Sequence, residues 1–565
     1  MSLMGVLNIG GSALQAQQAA LQVTSNNLAN AADPNYTEET AEYEPGGDVS
    51  TGSGLLVGSG VNIVAVQRQV DQALNERLRS SNSDESSATT LQNWSGQVQS
   101  VFNALSGNGL SDQLNTFFND WSTLASNPTQ SGQQGVVVQD GANVAQTLNG
   151  LSSNLSDLST NMESSISQSV QQVNQLSGQI ASLNQQIVGA SNGGSVQPNS
   201  LLDQRDADLS SLSQLVNIQT VQQPSGSVNV YLGSEALVDG TSTQNLTATT
   251  AQTNGQINTT VNFQQDGSVA SVTSGSLGGL LQSEQLINNT TTTVNSLASS
   301  LISSLNSIYS NGQGPQGYTT VTSTNTVADP TQPLSSAAAG LTYPPTSGTF
   351  TIHLTNTTTG LTTSSLIPIT ETGGSSDTTL NSLAASLNGV SGVQANVNNG
   401  QLSISSTNPN VQISFSNDTS GVLAGLGINT FFTGSDASSI AVNPQLTANS
   451  SLLAISQGGA GVDTLTAQNI SNLNDAPQPT LGGSSLSDSY DNLIQTVGSA
   501  ASNATNNATA ATSVQQTLTA QQQSLSGVST DQEALNMIIE QRTYQGAAQL
   551  ISIVDNMMQT LLAIT

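Results

Sequence analysis

The chain has 565 residues, 35 of them acidic and five basic, for a formal net charge of -30. That balance excludes nucleic acid and anionic membrane as partners, because holding phosphate takes clustered Lys and Arg. The absence of cysteine excludes disulfides, thiolate chemistry and sulfur-ligated zinc.

All five basic residues are arginines, at Arg68, Arg77, Arg79, Arg205 and Arg542. The N-terminus therefore lacks the basic region of a signal peptide. No apolar run reaches the roughly 18–20 residues of a membrane span. The chain is expected to be cytosolic or to leave the cell without a cleaved signal. Its body of Ser, Thr, Asn, Gln and Gly, with 3% aromatics, approaches the composition of disordered chains, so order must come from periodicity.

The first element is a helix over Leu3–Asn30, with a seam of Leu7, Leu14, Leu21 and Leu28 at seven-residue spacing. It ends where Asn30-Ala31-Ala32-Asp33-Pro34 favours a turn. Val66, Val70, Leu74 and Leu78 predict a short amphipathic helix carrying three of the arginines. Trp94, Val98, Val101, Phe102 and Leu105 predict the next, and Leu114 to Leu124 another, stopped by Asn127-Pro128. From Leu148 to Ile187 apolar residues recur by threes and fours, about one per 3.5 residues, which predicts a long rod-like helix. Alternation at Val228, Val230 and Leu232 marks a β part near 216–272, and a helix resumes from Leu277 to Ile308.

Residues 311–450 read as a β-rich insertion. Phe350, Ile352 and Leu354 alternate, and Asn399-Gly400 supplies a tight hairpin turn. Leu380, Leu383, Ala384 and Leu387 predict one helix on the sheet. Helix returns from Leu486 through Leu518. The last block carries two apolar rows, one of Met537, Tyr544, Ile551 and Met558, the other of Leu550, Val554, Met557 and Leu561. Two rows call for neighbours on more than one side.

The expected fold class is α+β multidomain, with long helical coiled-coil or bundle rods from both termini and an inserted β-rich domain. The expected domains are a terminal helical coiled-coil domain from 1–45 with 520–565, disordered in the free monomer; a helical rod domain from 46–310 with 451–519; and an outer domain at 311–450.

No convergent set of acid, base and nucleophile is visible, so an enzyme is not expected, and no cofactor or metal is either. His353 reads as a strand-face residue. Asp203, Asp206 and Asp208 lack the glycine and distal Glu of a calcium loop and read as a helix-start charge cluster. Gly425-Leu426-Gly427 reads as a turn. The arginines, retained where bases are otherwise excluded, read as intra- or inter-subunit pairing partners.

The run Ala20-Leu21-Gln22-Val23-Thr24-Ser25-Asn26-Asn27-Leu28-Ala29-Asn30, followed by Pro34 and Tyr36, resembles the signature of flagellar rod, hook and hook-associated axial proteins. Here Asn35 stands where that family has Gly, and Glu38 where it often has a base. The tail from Asp531 through Arg542 and Tyr544 to Leu562 is similar to the matching family tail. Three internal stretches narrow the resemblance to the hook-associated subunits at the junction of hook and filament. They are Gly109-Leu110-Ser111 with Leu114 to Pro128; Leu201-Leu202-Asp203-Gln204-Arg205-Asp206; and Thr419-Ser420-Gly421 through Phe432.

The resemblance implies a structural subunit, exported unfolded through the flagellar type III channel, that self-assembles into a helical or ring-like junction. It implies the hook protein and hook-associated protein 3 as neighbours, and a dedicated export chaperone on the C-terminal helix. The terminal apolar rows would then pack between subunits. Alternatives are another axial subunit, such as hook or flagellin, and a secreted adhesin-type protein, which would account for 311–450 but not for the paired terminal motifs.

Overall fold

The computed structural model describes residues 3–50, 56–103, 109–130, 132–191, 197–253 and 256–564. Leu105 lies outside them. The chain divides into two compact units, one of residues 1–94, 161–284 and 502–565, the other of 95–160 and 285–501. The architecture is the expected α+β one, with long helices at both chain ends and a β-rich insertion.

The first unit opens with α1 (Leu3–Asn30), then β1 (Glu39–Pro45), β2 (Asp48–Ser50), β3 (Leu56–Gly58) and β4 (Val61–Arg68). Strands β1 and β4 pair antiparallel, as do β2 and β3. The sequence reading placed Val66 and Val70 on a helix, and the structure corrects this. Val66 lies in β4, whose β-branched Val61, Ile63, Val64 and Val66 suit a pleated strand better than a helix. Helix begins only at α2 (Gln72–Asn103), which also absorbs the next predicted helix.

Next come α3 (Leu110–Ser126) and α4 (Gln133–Ala190), the predicted rod, 58 residues long. Leu148, Leu151, Leu155, Met162, Ile166, Val170, Val173, Ile180 and Ile187 are buried along it. Helix α5 (Asn199–Leu215) leads into β5 (Ile218–Gln222), β6 (Val228–Leu232), β7 (Glu235–Asp239) and β8 (Ser242–Thr243), an antiparallel four-stranded sheet in that order. A hairpin of β9 (Leu246–Thr253) and β10 (Gln256–Phe263) follows. Asn184 of α4 ties this part together: it donates to Val228 O (2.8 Å) and Gly240 O (2.7 Å) and accepts from Val228 N.

After α6 (Gly275–Tyr309) and β11 (Thr320–Thr322), the second unit contains two three-stranded sheets. One has the order β13-β12-β16, from β12 (Gly348–Asn356), β13 (Thr362–Ile369) and β16 (Val411–Ser416). The other is β11-β15-β14, with β14 (Val393–Asn398) and β15 (Gln401–Ser406). Helix α7 (Leu380–Asn388) buries the four predicted apolar residues in a core with Phe350, Ile352 and Phe415. Asn399 and Gly400 have φ of 50° and 76°, the left-handed pair that a two-residue hairpin demands. His353 occupies an outward position of β12, with Ser364 and Ser416 hydroxyls each 2.7 Å from a ring nitrogen.

The Thr419–Phe432 stretch has a structural explanation. Asp418 accepts from the amides of Ser420, Gly421 and Leu423, fixing the start of α8 (Val422–Leu426). Gly427 (φ 71°) turns the chain, and Asn306 receives the amides of Phe431 and Phe432. The two rings then join Phe117, Trp121 and Tyr309 in an aromatic core. The chain continues through β17 (Phe432–Thr433), β18 (Ala441–Val442), α9 (Pro444–Ala448), α10 (Leu465–Ser471) and α11 (Leu486–Ser526). It closes with α12 (Thr530–Ile564).

Candidate functional site

The two chain ends meet as the α1–α12 pair, and the face α1 turns inward is not its leucine seam. Buried on α1 are Gly10, Ala16, Ala20, Thr24 and Asn27, while Leu7, Leu14 and Leu21 are half-buried and Leu28 is exposed. Small residues let the helices approach closely. A Cβ built on Gly10 would stand 2.8 Å from Cγ1 of Ile551.

On α12 the inward stripe runs through Glu533, Met537, Glu540, Ile551, Val554 and Met558, all buried or half-buried. Val554, grouped by its spacing with the second apolar row, belongs to this stripe. The outer face carries Leu535, Ile538, Ile539, Leu550, Ile553, Met557 and Leu561, all exposed, with Ile553, Met557 and Leu561 at 51–52%. Tyr544 and Arg542 are also exposed. Ile553 had no place in the predicted rows; the signal was its step of three and four from Leu550 and Met557.

The Asn-rich signature forms the joint between these helices. Asn27, 2% exposed, donates to Glu39 O (2.8 Å) and Glu533 Oε2 (3.3 Å), and accepts from Tyr36 OH (2.8 Å) and Glu39 N (3.0 Å). Two donors and two acceptor sites are thereby all used. Asn26 donates to Tyr36 OH (3.2 Å), and Asn30 donates to Asn26 O (3.0 Å). Pro34 sits in the turn closed by the Tyr36 amide on Asp33 O (3.2 Å). The Glu38 amide reaches Ser526 O at the end of α11 (2.9 Å), so the signature locks α1, β1, α11 and α12 at one point.

The joint is acidic. Burial, and then the neighbouring Glu533, raise the pKa of Glu38. Burial also raises Glu540, with Glu533 adding to it and the hydroxyl of Thr24, donated at 3.0 Å, opposing. The Tyr36 phenol is raised by burial first and then by Glu39 and Asp203.

The second family-like stretch lies on α5. Arg68, at the end of β4, pairs with Asp203 (2.7 Å) and Asp206 (2.9 Å). These carboxylates do not serve the helix start, as the sequence reading had it. They stand four and seven residues past Asn199 and are held by an arginine distant in sequence. Arg205, 3% exposed, donates to Gly226 O (2.7 Å) and Asn184 Oδ1 (3.2 Å). The predicted intrachain pairing is present for Arg68. Among the described residues no group of His, Asp and Glu suited to a metal ion occurs, and no helix is long and apolar enough to cross a membrane.

The two chain ends and the segment between them each match a family of flagellar proteins. Residues 7–37 match the flagella basal body rod protein family, and residues 521–564 match the C-terminal family of flagellar basal body rod FlgEFG proteins. Residues 95–321 match the flagellar hook-associated protein FlgK helical domain. All three are families of the bacterial flagellum, and the longest match is to the helical domain of FlgK.

The chain is 31% identical to flagellar hook-associated protein 1 of Bacillus subtilis over 38% of its length and 43% of that protein's. It is 26% identical to the Escherichia coli protein of that name over 55% of its length and 58% of that protein's. The matches thus span about half the length of these relatives. In fold it is similar to the flagellar hook junction protein FlgK from Burkholderia pseudomallei (TM-score 0.52, 18% identity), over 80% of this chain and 100% of that one.

Proposed function

We propose that the protein is a structural, non-catalytic subunit of the junction between hook and filament, built by packing α1–α12 pairs of neighbouring copies against one another. The observation that carries this reading is the exposed row Leu550, Ile553, Met557 and Leu561, together with the exposed Leu28 of α1. Large apolar side chains in a continuous stripe cost free energy in water, about 25 cal/mol per Å², and contacts between copies remove that cost.

Within this reading, segments 1–45 and 520–565 are the assembling part, 46–310 with 451–519 the rod, and 311–450 an outer domain. The terminal helices order fully on insertion, so their ordering entropy is offset in the assembly. The subunit leaves the cell unfolded through the flagellar type III channel, with an export chaperone covering the apolar row of α12 until then. Its neighbours are the hook protein and hook-associated protein 3.

The test is complementation of a strain lacking the junction subunit. Ile553→Glu with Met557→Glu changes only exposed positions; it is expected to leave a folded, soluble protein that cannot attach filaments. Removing residues 531–565 should do the same. Normal motility from either variant would sink the proposal.

A further inference from the structure

Three of the five basic residues in this strongly acidic chain line one cavity of about 420 Å³ in the first unit. Arg68, Arg79 and Arg205 share its wall with Glu76, Asp206 and Thr220. The three charges are not equally compensated. Arg68 is held by two aspartates. Arg205 gives its Nη1 to two neutral acceptors, Gly226 O and Asn184 Oδ1, and its buried Nε has no hydrogen-bond partner among the described residues. Arg79 gives Nη2 to another neutral acceptor, Thr220 Oγ1, at 3.1 Å. Neither Arg79 nor Arg205 has an ion pair among the described residues.

A buried guanidinium is expensive without counter-charge. Burial lowers the pKa of both Arg79 and Arg205, and Arg68 and Arg79 press Arg205 down further against the opposing effect of Asp206. Arginine cannot respond by losing its proton. Asp206 offsets part of this charge at both arginines, and Glu76 part of it at Arg79; an external anion would offset the rest.

We propose that this cavity binds a small oxyanion, of phosphate or carboxylate chemistry, through Arg79 and Arg205. The planar fork of a guanidinium matches two oxygens of such a group. The volume exceeds the roughly 30 Å³ of one water many times over, leaving room for a phosphate with part of its hydration. Glu76 and Asp206 in the same wall disfavour an extended polyanion, so the ligand is small. An anion there would join α2 and α5 through one shared charge. This site is separate from the α1–α12 surface and does not depend on the junction reading.

The experiment titrates the full chain at pH 7 with sodium phosphate, and in parallel with sodium acetate, against sodium chloride at matched ionic strength. Calorimetry and thermal unfolding are the readouts. Saturable binding and a rising Tm are expected for phosphate, acetate or both, and the anion that saturates assigns the source. In Arg79→Gln the dissociation constant should rise at least tenfold; Arg205→Lys, which keeps the charge and loses the fork, should weaken binding as well. No saturable response in the unmodified chain overturns the proposal, as does undiminished binding in Arg79→Gln. Because the unmodified chain decides the first point, a variant that fails to fold leaves the test intact.

Discussion

Asn27 and Glu533 stand 506 residues apart in the sequence and 3.3 Å apart at a hydrogen bond. That bond sits where the two chain ends close on each other, and it joins the most buried amide of α1 to a carboxylate that is 2% exposed. A contact of such sequence separation pays its loop-closure entropy before any gain. The α1–α12 pair is accordingly expected to open more readily than the sheets of the second unit.

Asn27→Ala removes four hydrogen bonds and leaves Glu533 and the Glu39 amide without that partner. A loss of about 3 kcal/mol is expected in the terminal pair. Amide hydrogen exchange should show faster opening of α1 and α12, with the strands at 348–416 unchanged.

Gly10→Ala is unfavourable despite better helix propensity. Alanine gains about 0.5–1 kcal/mol in a helix interior, but its Cβ would meet Ile551 Cγ1 on a stiff β-branched side chain. Overpacking of this kind costs about 1–3 kcal/mol. Adding Ile551→Ala should recover part of the loss, measured by the exchange of α12 amides.

Acid should act in opposite directions on the terminal pair and on two aspartate-braced turns of the second unit. Glu38 and Glu540 have pKa values raised in the folded chain, so between their ordinary value near 4.5 and the raised one the folded state holds more protons than the unfolded. Pairing of α1 with α12 is strongest below that window and weakens as pH rises through it. Asp463 and Asp436 are held below 3.8 by hydrogen bonds that outweigh burial, so the turns they brace, near 456–465 and 436–439, lose stability as pH falls below that value. Amide exchange at pH 4.5 and pH 7 should show slower opening of the termini at the lower pH; no difference would count against the acidic joint.

Arg68→Gln leaves Asp203, 8% exposed, without its ion pair. Removing one partner of such a pair costs about 3 kcal/mol. Arg68→Met with Asp203→Leu should be less damaging than Arg68→Gln alone, as urea unfolding would reveal.

The rods and the hairpin were legible because local pattern decides them. The Leu148–Ile187 periodicity could only be a helix, and Asn399-Gly400 could only be a turn. The β1–β4 pair was not legible, because β1 is Glu-rich and mostly exposed, so it shows no apolar alternation. The inward face of α1 escaped notice for a different reason. Gly10, Ala16, Ala20, Thr24 and Asn27 carry little hydrophobicity, while the leucines, half-buried on the flank of that face, dominate the pattern. The partner of Arg68 lies 135 residues away, a relation no spacing encodes. The family-like signature could be matched, but its role as a saturated hydrogen-bond joint needed the geometry.

The exposed apolar row of α12 also bears on colloidal behaviour. Such a surface favours association, and in the free chain the formal charge of -30 opposes it. That repulsion fades with salt, since the Debye length is about 8 Å at physiological ionic strength and shorter above it. Ionic strength is therefore expected to set the threshold at which copies begin to stack.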